Sequence, residues 1–112
     1  MHIDAYHFGE IVIDGKSYLH DVSCHPKGIQ ANWFRREGHG LALGDIGALL
    51  DRNCKTLIVG TGASGMMHVL PEVVDLCHKA GIELITHATA EAVKHYNSAD
   101  PATTVGAFHL TC

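Results

Sequence analysis

The second half of the chain alternates short apolar runs with amphipathic segments. Residues 56–60 and 82–86 are apolar or β-branched at nearly every position, which is typical of strands buried on both faces. Between them, apolar residues recur at i, i+3, i+4 and i+7 from Leu70, and Gly81 follows as a C-terminal cap, so residues 71–80 are predicted to form a helix. A crossover of this length predicts parallel strands with a right-handed connection.

Two further helices and a closing strand follow from capping residues and apolar spacing. Asp45 is a candidate N-cap for a helix over residues 46–52, and Thr89 for one over residues 90–98. Asp100-Pro101 ends the latter, and residues 104–110 read as a final strand.

The first half of the chain is predicted to contribute mainly extended structure. Residues 10–13 and 16–19 flank Asp14-Gly15, a pair that favours the tight turn of a β-hairpin. Residues 22–24 and 29–33 form further extended pieces, and residues 35–40 form a polar loop. The pattern therefore predicts one α/β domain over residues 1–112, with a mixed sheet of five or six strands, an N-terminal hairpin and helices packed on the sheet.

Composition narrows the function classes. A chain of 112 residues with a net charge of −4 is one domain without the basic field that nucleic-acid binding needs. No apolar segment approaches the roughly 20 residues of a membrane span, and the N-terminus lacks the features of a signal peptide, so we expect a cytoplasmic protein that does not enter a membrane. The four cysteines and ten histidines show no metal-ligand spacing, so reduced thiols, no metal and no cofactor are expected.

A glycine-rich loop is the main candidate ligand site. Residues 60–65 match G-x-G-x-x-G between a predicted strand and a helix, where backbone amides attract anions. A dinucleotide site is disfavoured because the second strand ends in Thr86-His87 rather than in an acidic residue. A small-anion or ligand site and a purely structural loop remain open. The candidate binding residues, walled by Trp33 and Arg35, are Gly60, Thr61, Gly62, Ser64, His87 and Thr89.

The residues do not have the spacing of a known catalytic motif, whereas one aromatic segment is a candidate surface for binding a partner. Ser64 sits between Ala63 and Gly65, but Met66 stands where a nucleophile elbow needs glycine. Trp33, Phe34 and Arg35 combine the residue types that anchor protein interfaces. The alternative is a core tryptophan with an arginine in a salt bridge at its rim. Catalytic residues thus remain unknown.

Several segments resemble the Mth-domain family, a widespread domain of unknown function. The resemblance rests on residues 32–35, 57–62, 81–84, 89–97 and 105–112 and covers nearly the whole chain. It is greatest to the adipogenesis-associated branch and more distant to mitochondrial complex I assembly factor 3. The family implies a three-layer α/β domain and no established reaction. Thr61 stands where the animal adipogenesis-associated protein has arginine, so the resemblance implies no positive charge in this loop.

The function expected from the sequence is that of a non-enzymatic binding or assembly module, with a small cleft at the strand ends near the glycine-rich loop. Its expected partner is an unidentified protein, and the chain is expected to be a monomer or a weak homodimer. A small-molecule or anion-binding domain, or an enzyme using that cleft, is the alternative.

Overall fold

The computed structural model describes residues 1–112 as a central sheet with packed layers on both faces. Ten strands and three α-helices follow one another with a short 3-10 helix, Gly47–Leu49, after α1. In chain order the strands are β1 Ile3–His7, β2 Glu10–Ile13, β3 Lys16–Tyr18, β4 Val22–His25, β5 Gly28–Gln30, β6 Gly40–Leu41, β7 Thr56–Thr61, β8 His68–Val69, β9 Glu83–His87 and β10 Thr104–His109. The helices are α1 Leu43–Ile46, α2 Pro71–Ala80 and α3 Thr89–Ser98.

The central sheet is mixed and has the strand order β5-β4-β10-β7-β9. β7 pairs in parallel with β9, Leu57 opposite Leu84, which confirms the predicted parallel neighbours. β10 lies between β7 and β4, parallel to the former and antiparallel to the latter. The last strand of the chain is therefore the centre of the sheet, and it is buried at every position.

Two hydrophobic clusters, one on each face of the sheet, give the three-layer arrangement. Leu57, Val59 and Val105 point to the face covered by α2 and the α1 region. Ile58 and Phe108 point to the opposite face, covered by α3 and by a second, antiparallel sheet of β1, β2 and β3. Burial on both faces explains the consecutive apolar positions of β7, whereas β9, at the edge of the sheet, is only half-buried at Leu84 and Ile85, which pack against opposite clusters.

The predicted hairpin is confirmed but lies outside the central sheet. Asp14 and Gly15 have φ values of 50° and 81°, as a type I′ turn requires. The hairpin joins β1, which the sequence analysis did not predict, and β6 pairs with β8 in a separate two-stranded sheet.

Both predicted N-caps are wrong. The first helix covers residues 43–46 rather than 46–52, and the Asp45 carboxylate accepts from the amide of Ala42 at 2.8 Å, inside the helix. Thr89 is the first residue of α3 rather than its cap, because its hydroxyl bonds to neighbouring strands. α2 and its left-handed Gly81 cap are as predicted. None of the helices combines the length and the apolar character that a membrane span needs.

Candidate functional site

The carboxyl ends of the parallel strands meet at one side of the central sheet, here called the carboxyl edge. β7, β9 and β10 end there at Thr61, His87 and His109. β4 runs in the opposite direction, so Asp21, just before it, also lies at this edge. Open α/β sheets bind ligands at such edges, so the carboxyl edge is the expected location of a functional site.

Asp21, Arg35 and His109 form a mostly buried charged cluster at the carboxyl edge. Asp21 Oδ2 lies 2.7 Å from Arg35 Nη1 and 2.7 Å from His109 Nδ1. Asp21 Oδ1 accepts a hydrogen bond of 2.8 Å from the Leu110 amide. The Nη1 contact is an ion pair without hydrogen-bond geometry. One carboxylate thus ties β4 to the end of β10 and to the loop that carries Arg35.

Arg35 is held in place from several directions. Its Nε and Nη2 both donate to the carbonyl oxygen of Gly38, at 3.1 and 2.9 Å. The guanidinium carbon stands 5.0 Å from the centroid of the Trp33 ring, within cation–π range. Only 5% of the side chain is exposed. A buried guanidinium needs such partners, and here the Gly38 carbonyl oxygen accepts from two of its five N–H groups while Nη1 makes the ion pair with Asp21.

The neighbours of His109 decide which ring nitrogen carries the proton. Nδ1 lies 2.7 Å from Asp21 Oδ2, which only accepts hydrogen bonds, and 3.1 Å from Arg35 Nη2, which only donates them; the shorter, charge-assisted contact favours a proton on Nδ1. In the neutral ring, Nε2 is then the acceptor, and it is buried with no hydrogen-bond partner. The exposed ring of His39 packs edge-on, 5.8 Å away between centroids. The arrangement leaves an oriented imidazole nitrogen free to accept a hydrogen bond.

Tyr6 extends this network to the second sheet. Its hydroxyl donates to the carbonyl oxygen of Leu110 at 2.9 Å. Burial raises the pKa of Tyr6, and the negative charge of Asp21 raises it further. The phenol therefore serves as a neutral donor that fixes residue 110.

Of the predicted ligand-binding residues, hydrogen bonds bring together Thr61, Gly62, His87 and Thr89, with Thr89 at the centre, and Ser64 makes none of these bonds. The Thr89 hydroxyl accepts from the Gly62 amide at 2.8 Å and donates to the His109 carbonyl oxygen at 2.6 Å. The hydroxyl of Thr61 donates to the His87 carbonyl oxygen at 3.1 Å. These contacts place the end of β7 against the ends of β9 and β10, as the sequence predicted for this loop region.

The glycine-rich loop has no open cleft in this conformation. Ala63 and Met66 donate their amides to the carbonyl oxygens of Thr111 and Cys112, at 2.7 and 2.9 Å. A Cβ on Gly62 would overlap the carbonyl carbon of Cys112. None of the five surface cavities is lined by Gly60, Thr61, Gly62, Ser64, His87 or Thr89. Ligand binding by this loop stays a prediction and would require residues 111 and 112 to move.

The aromatic segment is exposed at only one residue. Trp33 is 2% exposed, and its Nε1 donates to the Asp45 carbonyl oxygen at 3.1 Å. Trp33 and Arg35 do not lie on the surface, because the indole fills the α2-side core and the guanidinium pairs with Asp21. Phe34, between them, is 71% exposed. The structure matches the alternative of a core tryptophan with an arginine in a salt bridge.

Exposed hydrophobic side chains concentrate around the carboxyl edge. Four of them are close in sequence, by at most two positions, to residues that contact this edge. Those residues bond either to segment 109–112 or to Asp21. Together the four are here called the apolar rim, made of Phe8, Leu19, Phe34 and Met66. The Phe34 ring also lies 6.3 Å from that of His20. Large apolar side chains exposed along one edge of a domain are candidates for a recognition surface.

The cysteines are free thiols in different environments. Cys24, Cys54 and Cys77 are buried, and Cys112 is exposed. Burial raises the pKa of all three buried thiols, that of Cys24 to about 12. Buried neutral thiols behave as small apolar side chains, so these three contribute packing rather than nucleophilic chemistry.

A family model described as "Protein of unknown function (DUF498/DUF598)" matches residues 3–107. The chain belongs to this family. A conserved hypothetical protein from Pyrococcus horikoshii has 30% sequence identity and a TM-score of 0.85, with both chains fully covered. A Bartonella henselae protein described as an outer membrane protein has 23% identity and a TM-score of 0.79, over 98% of this chain and 94% of its own.

A Mth938-like domain from Bordetella pertussis shares the fold. Its identity is 24% and its TM-score 0.65, over 97% of this chain and 85% of that one. The family match and these structures confirm the Mth-domain resemblance and the α/β architecture. They attach no reaction or ligand to the fold, so functional arguments rest on the carboxyl edge itself.

Proposed function

We propose that this domain is a non-enzymatic binding module that receives a protein partner at the carboxyl edge, with Phe34 as the anchoring side chain. The observation that carries the proposal is the exposure of Phe34 on a segment whose two flanking side chains are both fixed. An aromatic ring held in water by a rigid backbone loses little conformational freedom when a partner covers it. Such rings are typical of interface hot spots.

The surroundings of Phe34 support the same proposal. The other residues of the apolar rim supply further apolar surface, and His20 lies beside the ring. The charged cluster has its carboxylate and guanidinium paired internally, so it acts as a rigid support for the segment. A partner that fits this edge presents an apolar pocket for Phe34 with a polar border, as protein interfaces commonly do.

The test compares three single substitutions in proximity labelling within cells. Phe34→Ala and Leu19→Ala should each lose the same labelled proteins, which should remain with Val74→Ala. Val74 is the matched control because it is exposed on α2, outside the apolar rim. Binding of the purified candidate should then weaken by about 30-fold or more with Phe34→Ala, as truncation of an aromatic hot spot does. Equal labelling by all three variants contradicts the proposal.

The second candidate function is that of a small-molecule-binding domain, and the buried, unpartnered Nε2 of His109 favours it. A ligand group within hydrogen-bond distance of Nε2 would satisfy that nitrogen. Native mass spectrometry tests this candidate: a bound mass present in the wild type should be lost in His109→Phe. If both proteins carry the same mass, the ligand does not use His109.

A further inference from the structure

The strand β9 leaves one edge of the central sheet uncovered. It is the terminal strand of the sheet, and Glu83, Thr86 and His87 are exposed while Leu84 and Ile85 are half-buried. The strand contains no proline, lysine or bulge, the features that usually protect an edge from pairing. By contrast, β5 at the opposite edge has three residues and begins at Gly28, with a φ of 143°.

The backbone of β9 presents unpaired groups at alternate residues. The Glu83 amide donates to the Lys55 carbonyl oxygen at 2.9 Å, so Glu83 faces β7. Because backbone groups in a strand point to opposite sides at successive residues, Ile85 and His87 also face β7. The N–H and C=O groups of Leu84 and Thr86 therefore point outward, where the sheet has no further strand.

These outward groups are self-complementary around Ile85. If a second copy of β9 runs antiparallel, with Ile85 opposite Ile85 of the second copy, Leu84 faces Thr86 of that copy. Both such pairs are of the hydrogen-bonded type, which gives about four new backbone hydrogen bonds. The dyad then repeats the same contacts on both halves, as a two-fold interface requires.

The same register also places a hydrogen-bond acceptor opposite a potential donor. It places Glu83 opposite His87 of the second copy, and the reverse pair occurs across the dyad. Positions 83, 85 and 87 would be non-hydrogen-bonded pairs, in which the side chains approach most closely. Each acidic residue thus meets an imidazole that can donate to it.

From the outward-facing Leu84 and Thr86 and the Glu83–His87 match, we propose that two copies of this chain associate through antiparallel β9–β9 pairing, which joins their central sheets into one ten-stranded sheet. This interface involves neither Phe34 nor the charged cluster, and it does not depend on the binding function proposed above. The carboxyl edge adjoins β9 only at His87, so the apolar rim stays open in the dimer.

The first test measures self-association by sedimentation velocity over a wide concentration range. The full chain should show a reversible monomer–dimer equilibrium. Thr86→Pro removes an outward N–H and no bond to β7, so it should raise the dimer dissociation constant at least about tenfold with an unchanged circular dichroism spectrum. A wild-type chain that remains monomeric at roughly millimolar concentration overturns the proposal.

The second test exploits charge and does not depend on the proline variant folding. His87→Glu carries acidic residues at both positions, and Glu83→Lys/His87→Lys carries basic ones. Each should be monomeric alone, because like charges then meet across the dyad. An equimolar mixture should form a heterodimer, because every contact across the dyad is then between opposite charges.

The matched control for the basic variant is His20→Lys/Glu37→Lys, which makes the same charge change at exposed residues outside β9. It should self-associate like the wild type. A heterodimer formed only with the β9 variants supports the interface. Equal association of all variants, alone or mixed, would place any dimer elsewhere and overturn the proposal.

Discussion

At the scale of single residues, the most constrained group is the carboxylate of Asp21. It holds a guanidinium, an imidazole and a backbone amide, all with little access to water. The desolvation cost of burying Arg35 is offset only while this charge is present. The sequence alone did not identify Asp21, because an aspartate after a hairpin reads as an ordinary solvated loop residue.

Asp21→Asn should therefore destabilise the fold strongly while preserving the shape of the side chain. Removing one partner of a buried ion pair leaves the other charge uncompensated, and the expected loss is about 3 kcal/mol in the free energy of unfolding. Urea denaturation measures it. The control is Glu91→Gln, which breaks an exposed pair with Lys94 and should change stability by no more than about 0.5 kcal/mol. Equal effects of the two substitutions would contradict a structural role for the charged cluster.

The residues of the glycine-rich loop show the limit of motif reasoning at this scale. The sequence correctly placed Thr61, Gly62, His87 and Thr89 near one another, since the ends of parallel strands meet at one edge. It did not reveal that the loop amides donate to the carbonyl oxygens of residues 111 and 112. These hydrogen bonds depend on the position of β10 at the centre of the sheet, because residues 111 and 112 follow that strand. His109 could have been found by the argument that selected His87, as both end a predicted strand.

At the scale of elements, Thr89 shows how α3 is attached to the sheet. The residue is fully buried, and its hydroxyl bridges the Gly62 amide on the β7 side and the His109 carbonyl oxygen in β10. A threonine before a helical pattern normally indicates an N-cap, and the sequence analysis predicted one. The hydroxyl instead makes hydrogen bonds to residues distant in sequence, and a local sequence pattern does not reveal such bonds.

Valine has nearly the same shape as threonine but no hydroxyl. Thr89→Val should therefore isolate the contribution of this hydrogen-bonded bridge to the free energy of unfolding. The substitution leaves a buried N–H and a buried carbonyl group unpaired, for an expected loss of about 2–4 kcal/mol in the free energy of unfolding. Thr89→Ser keeps the hydroxyl and should recover most of it. Hydrogen exchange of the Gly62 amide supplies a local readout: it should accelerate in Thr89→Val and remain slow in Thr89→Ser. Similar stability of the valine variant and the wild type would argue against the bridge.

The elements predicted correctly are those whose burial or turn geometry leaves a pattern in the sequence. β7, β9, α2 and the hairpin were predicted because their patterns are imposed by burial on two faces, burial on one face or a turn needing positive φ. The short pieces failed: the α1 region is one helical turn followed by a 3-10 turn, and β6 and β8 have two residues each. Such elements are set by their neighbours rather than by local preference.

At the scale of the whole molecule, the two cores on either side of the central sheet contain buried groups that remain neutral in the folded state. Burial raises the pKa of Cys24 from an ordinary 9.0 to about 12, and it raises the pKa of Cys54 and Cys77 in the other core. Tyr96, in the same core as Cys24, also has its pKa raised by burial. The two cores should therefore respond to alkali in the same direction.

The free energy of unfolding should fall as the pH rises above about 9, through linkage to these groups. The unfolded thiol of Cys24 ionises near 9.0, whereas the folded one resists until about 12, so the stability due to this difference is complete below 9.0 and is lost progressively above it. One such thiol contributes a slope of at most about 1.4 kcal/mol per pH unit. Urea denaturation at several alkaline pH values measures the slope, and Cys24→Ala should make it shallower. A stability that stays constant from about pH 8.5 to 10.5 would show that these groups become exposed to solvent in the native state, contrary to the packing of both cores.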